Sequence, residues 1–501
     1  MRRIGLDLAF RAPHQAAVFD DAVPVGRPFE VDRTKAGMDE LERRATAGAE
    51  GPCEVIMEPT GLAWIPMAAE MNRRGHRIYV PKPQKTYDLR RVYYSAHAKS
   101  DGIDATVEAL VRHVDPLGVH ELCVPTATET ALRLSVKHRA RRREEAAGSK
   151  NRIHGWLVLA NPHLSEAFGE SMFTKIGIAF LRRFVDPFEV RKLGKKRLRR
   201  FWDRHAHGAV RPQLFEAVWR ACVTSWELYN ELHKAGKLPI DYPRLQQLVS
   251  QELDLIVFLD TQVVNLETTN DELYQQLDPD RVLERQVPGL GKVIAPAVEA
   301  LVGDVERFDN IKCFASYFGV VPCSSRTGGK DKPRRHMTKA GPNLLKQYIF
   351  LAADVARRCD PELAVTYARA IEKGKHHNAA VAIVAHKLVR KIYALLKLRA
   401  ERRRALAEAQ PDQPPPAVAY QLVDPDSGTP LSRPQARAYI NTHFPSKAKR
   451  KATAAAAATS QKPGSPKQAR ASINTSVPSK AEKRAAAATS QKPGSPKAPP
   501  Q

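Results

Sequence analysis

Apolar and polar positions alternate over three short stretches near the N-terminus: RIGLDLA at 3–9, QAAVF at 15–19 and PFEV at 28–31. A period of two predicts strands that show one face to a core. A helical pattern follows over 34–47, EVIM at 54–57 reads as a buried strand, 62–74 as a helix stopped by Gly75, and HRIYV at 76–80 as a further strand. The predicted order is therefore β-β-β-α-β-α-β. Beyond residue 125 the period lengthens. Leu132, Leu134 and Val136, then Leu248, Leu253, Leu255, Ile256, Val263 and Leu266, predict long amphipathic or coiled helices through about 280. A second compact helical region is expected from Val287 to about Leu398.

After about Glu408 large apolar residues thin out into Pro, Ala and Ser-Pro-Gly runs, a composition that predicts disorder. The decamer ATSQKPGSPK stands at both 458–467 and 488–497, and the segment beginning at Gln435 recurs 33 residues later, which marks a local duplication. Lysine and arginine outnumber acids 80 to 54, a net charge of +26, yet from residue 431 onward 14 basic residues face one acid. Half of the surplus thus sits in the tail. A surplus of this size calls for a polyanionic partner, nucleic acid before an anionic membrane surface. No run of 18 apolar residues occurs and Asp7 interrupts the first apolar stretch, so neither a spanning helix nor a secretory leader is expected, and the chain reads as cytoplasmic. Six cysteines lie far apart with no CxxC pair, which excludes a zinc ribbon or disulfide scaffold and leaves the expectation of buried reduced thiols.

Four acids stand out against this background. Asp7 lies within the first strand among Ile4, Leu6 and Leu8, where an unpaired charge is costly. Glu58 ends the strand VIM before Pro59. Asp101 and Asp104 share one face of a helix that Ser100 can cap. A lone acid is more often a cap or a surface residue; four at strand ends and on one helix face could converge on two magnesium ions for an in-line phosphoryl displacement. The element order matches, by analogy of order, that of an α/β ribonuclease-H-like fold.

IGLDLA, IMEPTG and KSDGIDA, with the spacing between them, resemble the DEDD tetrad of the IS110 family of insertion-sequence transposases, which in turn resembles the pilin-gene DNA invertases. VPGLGKVIAPAVEALVGDVERF, SYFGVVP and TGGKDKPRRHMTKAGPNLLKQYIFLAA are similar to that family's second domain. The resemblance covers about residues 1–400. It implies a ribonuclease-H-like (resolvase-like) DEDD catalytic domain over 1–124 and a helical linker that mediates dimerisation over 125–280. It further implies a mainly α transposase domain with a nucleophilic serine over 281–400, ahead of the disordered basic tail, 401–501. Magnesium held by Asp7, Glu58, Asp101 and Asp104 belongs to the same implication, with DNA as partner, a homo-oligomer (dimer or tetramer), and a structured bridge RNA that pairs with donor and target DNA.

VPGLGK at 287–292 sets glycines at a helix start, as in helix-hairpin-helix elements whose backbone amides grip phosphate; a plain turn with a cap has the same chemistry. Lys330, Lys332, Arg334, Arg335, His336 and Lys339 form a basic loop, a charge run that by itself is more often a solvated face. The family's serine stands directly before a glycine, whereas VPCSSRTGGK puts Thr327 there, with Ser325 slightly upstream. Thr327 ranks first as nucleophile and Ser325, by a shifted alignment, second; the β-methyl of threonine crowds the attack. RKLGKKRLRRFW at 191–202 mixes cations with aromatics, which suits RNA or single-stranded DNA as well as a solvated helix. The reading is a transposase that cuts and rejoins DNA through a hydroxyl nucleophile. A junction-resolving nuclease using water and a catalytically inactive nucleic-acid-binding relative are the alternatives.

Overall fold

The computed structural model describes residues 1–445 except 60, 95–99, 117, 207–210, 324–325, 328–329, 332–335, 339–340 and 408–416. The chain divides into a unit Met1–His443 and a second, Phe444–Gln501, described only at its first two residues.

The first unit opens with β1 (Arg2–Asp7), β2 (His14–Asp20), β3 (Val23–Pro24), β4 (Phe29–Val31), α1 (Lys35–Thr46), β5 (Glu54–Met57), α2 (Trp64–Arg73), β6 (Arg77–Tyr79), α3 (Pro83–Tyr93) and α4 (Asp101–Val114). The strands form one mixed sheet, ordered β3-β2-β1-β5-β6 with β4 also on β2. β1 and β2 are antiparallel; β1, β5 and β6 run parallel. Alternation sorts the side chains into two cores. Ile4, Leu6, Val55, Met57 and Ile78 pack with Leu41 of α1 and Met67 and Met71 of α2, while Phe19, Ile56 and Tyr79 pack with Leu89 of α3 and Ala105 and Ala109 of α4. The strand and helix stretches read from periodicity are all present; α3 and α4 are added over the second face.

Two long helices follow, α5 (Ala127–Ala160) and, after α6 (Leu164–Phe168), α7 (Lys175–Leu181), α8 (Pro187–Leu193), α9 (Lys195–His205) and α10 (Pro212–Lys234), α11 (Tyr242–Leu277). Arg139 bonds Glu267 at 3.0 Å, Arg143 bonds Asp260 at 3.2 Å and Arg152 bonds Glu252 at 2.7 Å, so one number rises as the other falls and the pair is antiparallel. A Thr126–Glu129 capping box starts α5. Between the two, α6 to α10 enclose an aromatic core of Phe168, Phe180, Phe184, Trp202 and Phe215.

The C-terminal core gathers α12 (Val282–Gln286), α13 (Ile294–Val302), α14 (Ile311–Tyr317), the short pair β7 (Arg326–Thr327) and β8 (Lys330–Asp331), α15 (Asn343–Ala356), α16 (Pro361–Glu372) and α17 (His377–Ala407). Leu132, Val136 and Tyr274 from the long helices are buried in it with Val298, Phe314, Phe318, Ile349 and Leu388.

Two expectations are corrected. Disorder from residue 401 does not hold: α17 continues to Ala407, and β9 (Leu422–Val423), β10 (Pro430–Leu431) and α18 (Arg433–His443) fold onto the core. Ala436 and Ile440 are buried, and the Tyr420 hydroxyl donates to the fully buried Asp360 at 2.6 Å. A few apolar and aromatic anchors outweigh the tail's average composition there. The repeats at 446–501 lie outside the described residues. The cysteines also differ: Cys53 and Cys222 are buried, with thiols pushed up to about 11 and about 12 by desolvation, whereas Cys123, Cys313, Cys323 and Cys359 are exposed; all six are free.

Candidate active site

The register of β1 on β5 decides where the first two acids lie. Leu6 pairs with Met57, so Asp7 and the next residue after Met57, Glu58, leave neighbouring parallel strands at the same end. Adjacent strands stand about 4.8 Å apart, which makes them side-by-side carboxylates.

α4 supplies the rest. Ser100 caps it, its hydroxyl accepting from the Ile103 N–H at 3.3 Å as the sequence predicted. The helix lies so close to β1 that a Cβ on Gly5 would stand 1.9 Å from the Ala105 carbonyl oxygen and 2.4 Å from the Ala109 nitrogen. That approach is possible only for glycine. It brings Asp104, half-buried, and Glu108, 2% exposed and one turn further along, toward the strand ends. Asp101 stands at the outer end of α4, exposed to solvent.

Glu108 is a fifth acid that the sequence reading passed over. Its Oε1 accepts the Glu58 N–H at 3.2 Å, and its Oε2 is buried with no hydrogen-bond partner. Burial, then the negative charges of Asp7 and Glu58, holds its carboxyl well above the ordinary range, with Asp104 adding to the effect. Its signal in the sequence is spacing: four residues after Asp104, on the same helix face, among Val107, Ala109 and Leu110. Around the cluster, the Thr86 hydroxyl donates to Glu58 Oε2 at 3.3 Å and Arg90 donates to Asp104 Oδ1 at 2.8 Å. His14 stands at the start of β2; its Nδ1 accepts the Ala9 N–H at 3.1 Å, and burial followed by the Arg33 charge keeps the ring below its usual pKa.

The structure thus brings Asp7, Glu58 and Asp104 about one buried carboxyl and leaves Asp101 at the rim. Hard oxygen donors beside an orphaned buried carboxyl oxygen are a donor set that suits a divalent cation. Among the described residues no three acidic, histidine or cysteine groups already stand close enough to hold one, and Arg90 occupies Asp104.

In the C-terminal region, Thr327 lies in β7, paired with Lys330 of β8, and the Cys323 N–H donates to the His336 carbonyl at 2.7 Å. Ser325 falls outside the described residues, as do Lys332, Arg334, Arg335 and Lys339 of the basic loop. The VPGLG turn joins α12 to α13. Gly289 adopts φ +87°, and a Cβ there would meet the Ala352 carbonyl oxygen at 2.3 Å, so close packing on α15 requires this glycine. A cavity of about 670 Å³ opens beside the turn, lined in part by Arg358, Arg433 and Arg437.

The site is thus a set of carboxylates at the ends of parallel strands, followed along the chain by a long helical hairpin and a mainly helical C-terminal region. Two family profiles match the chain in order: a DEDD transposase profile of the IS110 type over residues 4–162, and the "Transposase IS116/IS110/IS902 family" over 282–368. The chain is 24% identical over 408 residues to the insertion element IS110 uncharacterized 43.6 kDa protein of Streptomyces coelicolor, covering 79% of this chain and 93% of that one. It is 24% identical over 328 residues to the IS116 uncharacterized 44.8 kDa protein of Streptomyces clavuligerus, 64% and 76% of the two chains. A "Probable family 20 transposase" of Pseudomonas aeruginosa is 25% identical over 185 residues, 36% and 53%. The protein belongs to the IS110 family of DEDD transposases and is a DNA transposase. No helix among the described residues is long and apolar enough to cross a membrane.

Proposed function

We propose that this transposase cuts and rejoins DNA through a covalent protein–DNA phosphoester. The catalytic carboxylates would be Asp7, Glu58, Asp101 and Asp104 on a ribonuclease-H-like domain, 1–124, and the nucleophile a hydroxyl of the domain at 281–400. The observation that carries it is the β1–β5 register, which sets Asp7 beside Glu58 under a helix bearing Asp104 and Glu108. Asp7, Glu58 and Asp104 would hold the cation, with Asp101 joining from the helix end; two magnesium ions, when bound, supply charge stabilisation to the attacking and leaving oxygens. The protein's own groups then orient and exchange protons. Thr86 fixes the Glu58 carboxylate, Arg90 holds Asp104 until substrate competes for it, and Glu108 anchors the strand end through the Glu58 N–H.

The Thr327 hydroxyl, or that of Ser325, attacks the scissile phosphorus. A P–O bond forms to the side chain, the P–O bond to the leaving deoxyribose breaks, the hydroxyl proton passes to a base, and the leaving oxygen takes one up. Reversal on a second DNA end rejoins the strands without ATP. The turn at 287–292 and Arg358 would grip backbone phosphates, the linker at 125–280 would pair subunits, and a bridge RNA would select donor and target. The protein would work in the cytoplasm.

A radiolabelled DNA substrate tests the scheme. Wild-type protein with magnesium should yield a covalent adduct, and Asp7→Asn should abolish it while leaving DNA affinity within about twofold, because phosphate contacts dominate binding. Cleavage without any adduct would assign the reaction to water and refute the nucleophile; wild-type rates in Asp7→Asn would refute the acid site.

A further inference from the structure

The two family matches end at residue 162 and resume at 282, so α6 to α10 lie outside both. These helices pack with the adjoining ends of α5 and α11 around a separate core. Within it, α9 commits Leu198 and Trp202, both 1% exposed or less, and Phe201 packs edge-on against Phe184. The aromatics of this segment are thereby used up in packing and offer no open stacking platform for bases.

The other face of α9 is cationic. Lys196, Arg197, Arg200 and Arg204 are all exposed and fall within about 100° of arc at 100° per residue. The flanking cations are neutralised, Lys195 by Glu216 at 2.8 Å and Arg199 by Asp203 at 2.9 Å. Among the described residues no ion pair joins the four on the face. Like charges one turn apart cost a helix a few tenths of a kcal/mol each, so the stripe carries an internal repulsion that a polyanion would relieve. Lys196, Arg200 and Arg204 rise about 6 Å per step, a straight row suited to a regular backbone and not to irregular single-stranded bases.

We infer that this face of α9 binds the phosphate backbone of a DNA duplex. Its position gives that grip a purpose. Val136 is buried in the C-terminal core and Ile153 in the α6–α10 core. The stretch of α5 between them spans about 26 Å, the length of seven or eight base pairs at 3.4 Å each. The module reaches along the duplex beyond the second domain and anchors it there. This inference rests on the DNA partner of the proposed function and on neither its metal nor its nucleophile.

Fluorescence anisotropy with the full chain tests it, using a 30-base-pair DNA duplex and an RNA hairpin with a long stem as separate probes. Replacing Lys196, Arg197, Arg200 and Arg204 by Gln should lower the slope of log affinity against log salt by about 2–4, near 0.9 for each phosphate no longer neutralised. A control with Gln at the exposed Arg27, Lys35, Lys373 and Lys375 should lower it by less than about 1. A reduced slope on the DNA duplex supports the inference. An unchanged slope on DNA, a reduction confined to the RNA hairpin, or an equal reduction in the control overturns it. If the fourfold variant loses its circular-dichroism signal, Lys196→Gln with Arg200→Gln decides, with about half the change expected. Adduct formation at saturating DNA should persist in the variant, so a failure of the chemistry is read separately.

Discussion

Glu108→Gln isolates the buried carboxyl beneath the acid cluster. Glutamine keeps the shape and the Oε1 acceptor for the Glu58 N–H, a bond contributing about 1 kcal/mol, and it gives the orphaned Oε2 position a donor facing acids. What it removes is a titration. Burial and the charges of Asp7 and Glu58 raise the Glu108 carboxyl well above its ordinary value of 4.5 in the folded protein, so it gives up its proton at higher pH there than in the unfolded chain. A raised folded pKa means that its stabilisation is complete below 4.5 and is lost as pH rises toward the folded value. In that window one retained proton tilts stability by up to about 1.4 kcal/mol per pH unit. Hydrogen exchange of β1 and β5 amides, corrected for intrinsic rates and measured in EDTA from pH 5 to 8, reads the local opening free energy. The wild-type value should fall with pH while the Gln variant stays flatter, their gap widening upward. Parallel profiles would refute a carboxyl kept neutral by its neighbours.

Gly5→Ala should be among the most damaging single changes at the site: its Cβ would strike the backbone of Ala105 and Ala109, so α4 must move, at a cost of about 1–3 kcal/mol or more. Adduct formation should collapse with thermal stability, and a variant that melts and reacts like wild type would show that α4 does not set the acids. Thr327→Ala should abolish adducts and Thr327→Ser should retain or raise them, read by peptide mapping; adducts persisting in Thr327→Ala and absent in Ser325→Ala reassign the nucleophile. Deleting 446–501 should leave the melting temperature unchanged while flattening the salt dependence of DNA binding, since 12 of the tail's cations go with one acid. Deleting 411–501 should lower it, because Asp360 loses Tyr420 and the core loses Ile440; equal melting of both truncations would return the segment 417–445 to the tail.

Local pattern by itself determined much of this protein. Alternation marked β1, β2 and β4, an apolar run marked β5, a 3.6-residue period marked α5 and α11, Ser100 announced the cap of α4, and the motifs around Asp7, Glu58 and Asp104 were visible as acids beside apolar runs. Such signals live within a few residues of one another, so one strand of sequence suffices to read them. Pairing partners do not. That Leu6 meets Met57, and hence Asp7 meets Glu58, is settled by hydrogen bonds between segments 51 residues apart. Glu108 reads as one more helical acid until α4 closes on Gly5 and takes it out of water. Trp202 and its cationic neighbours look alike as nucleic-acid contacts until an aromatic core claims the ring and leaves the charges outside. Composition placed residues 417–445 with the tail, yet Tyr420, Ala436 and Ile440 found a surface to bury against, and burial depends on what the rest of the chain presents, which no local window contains.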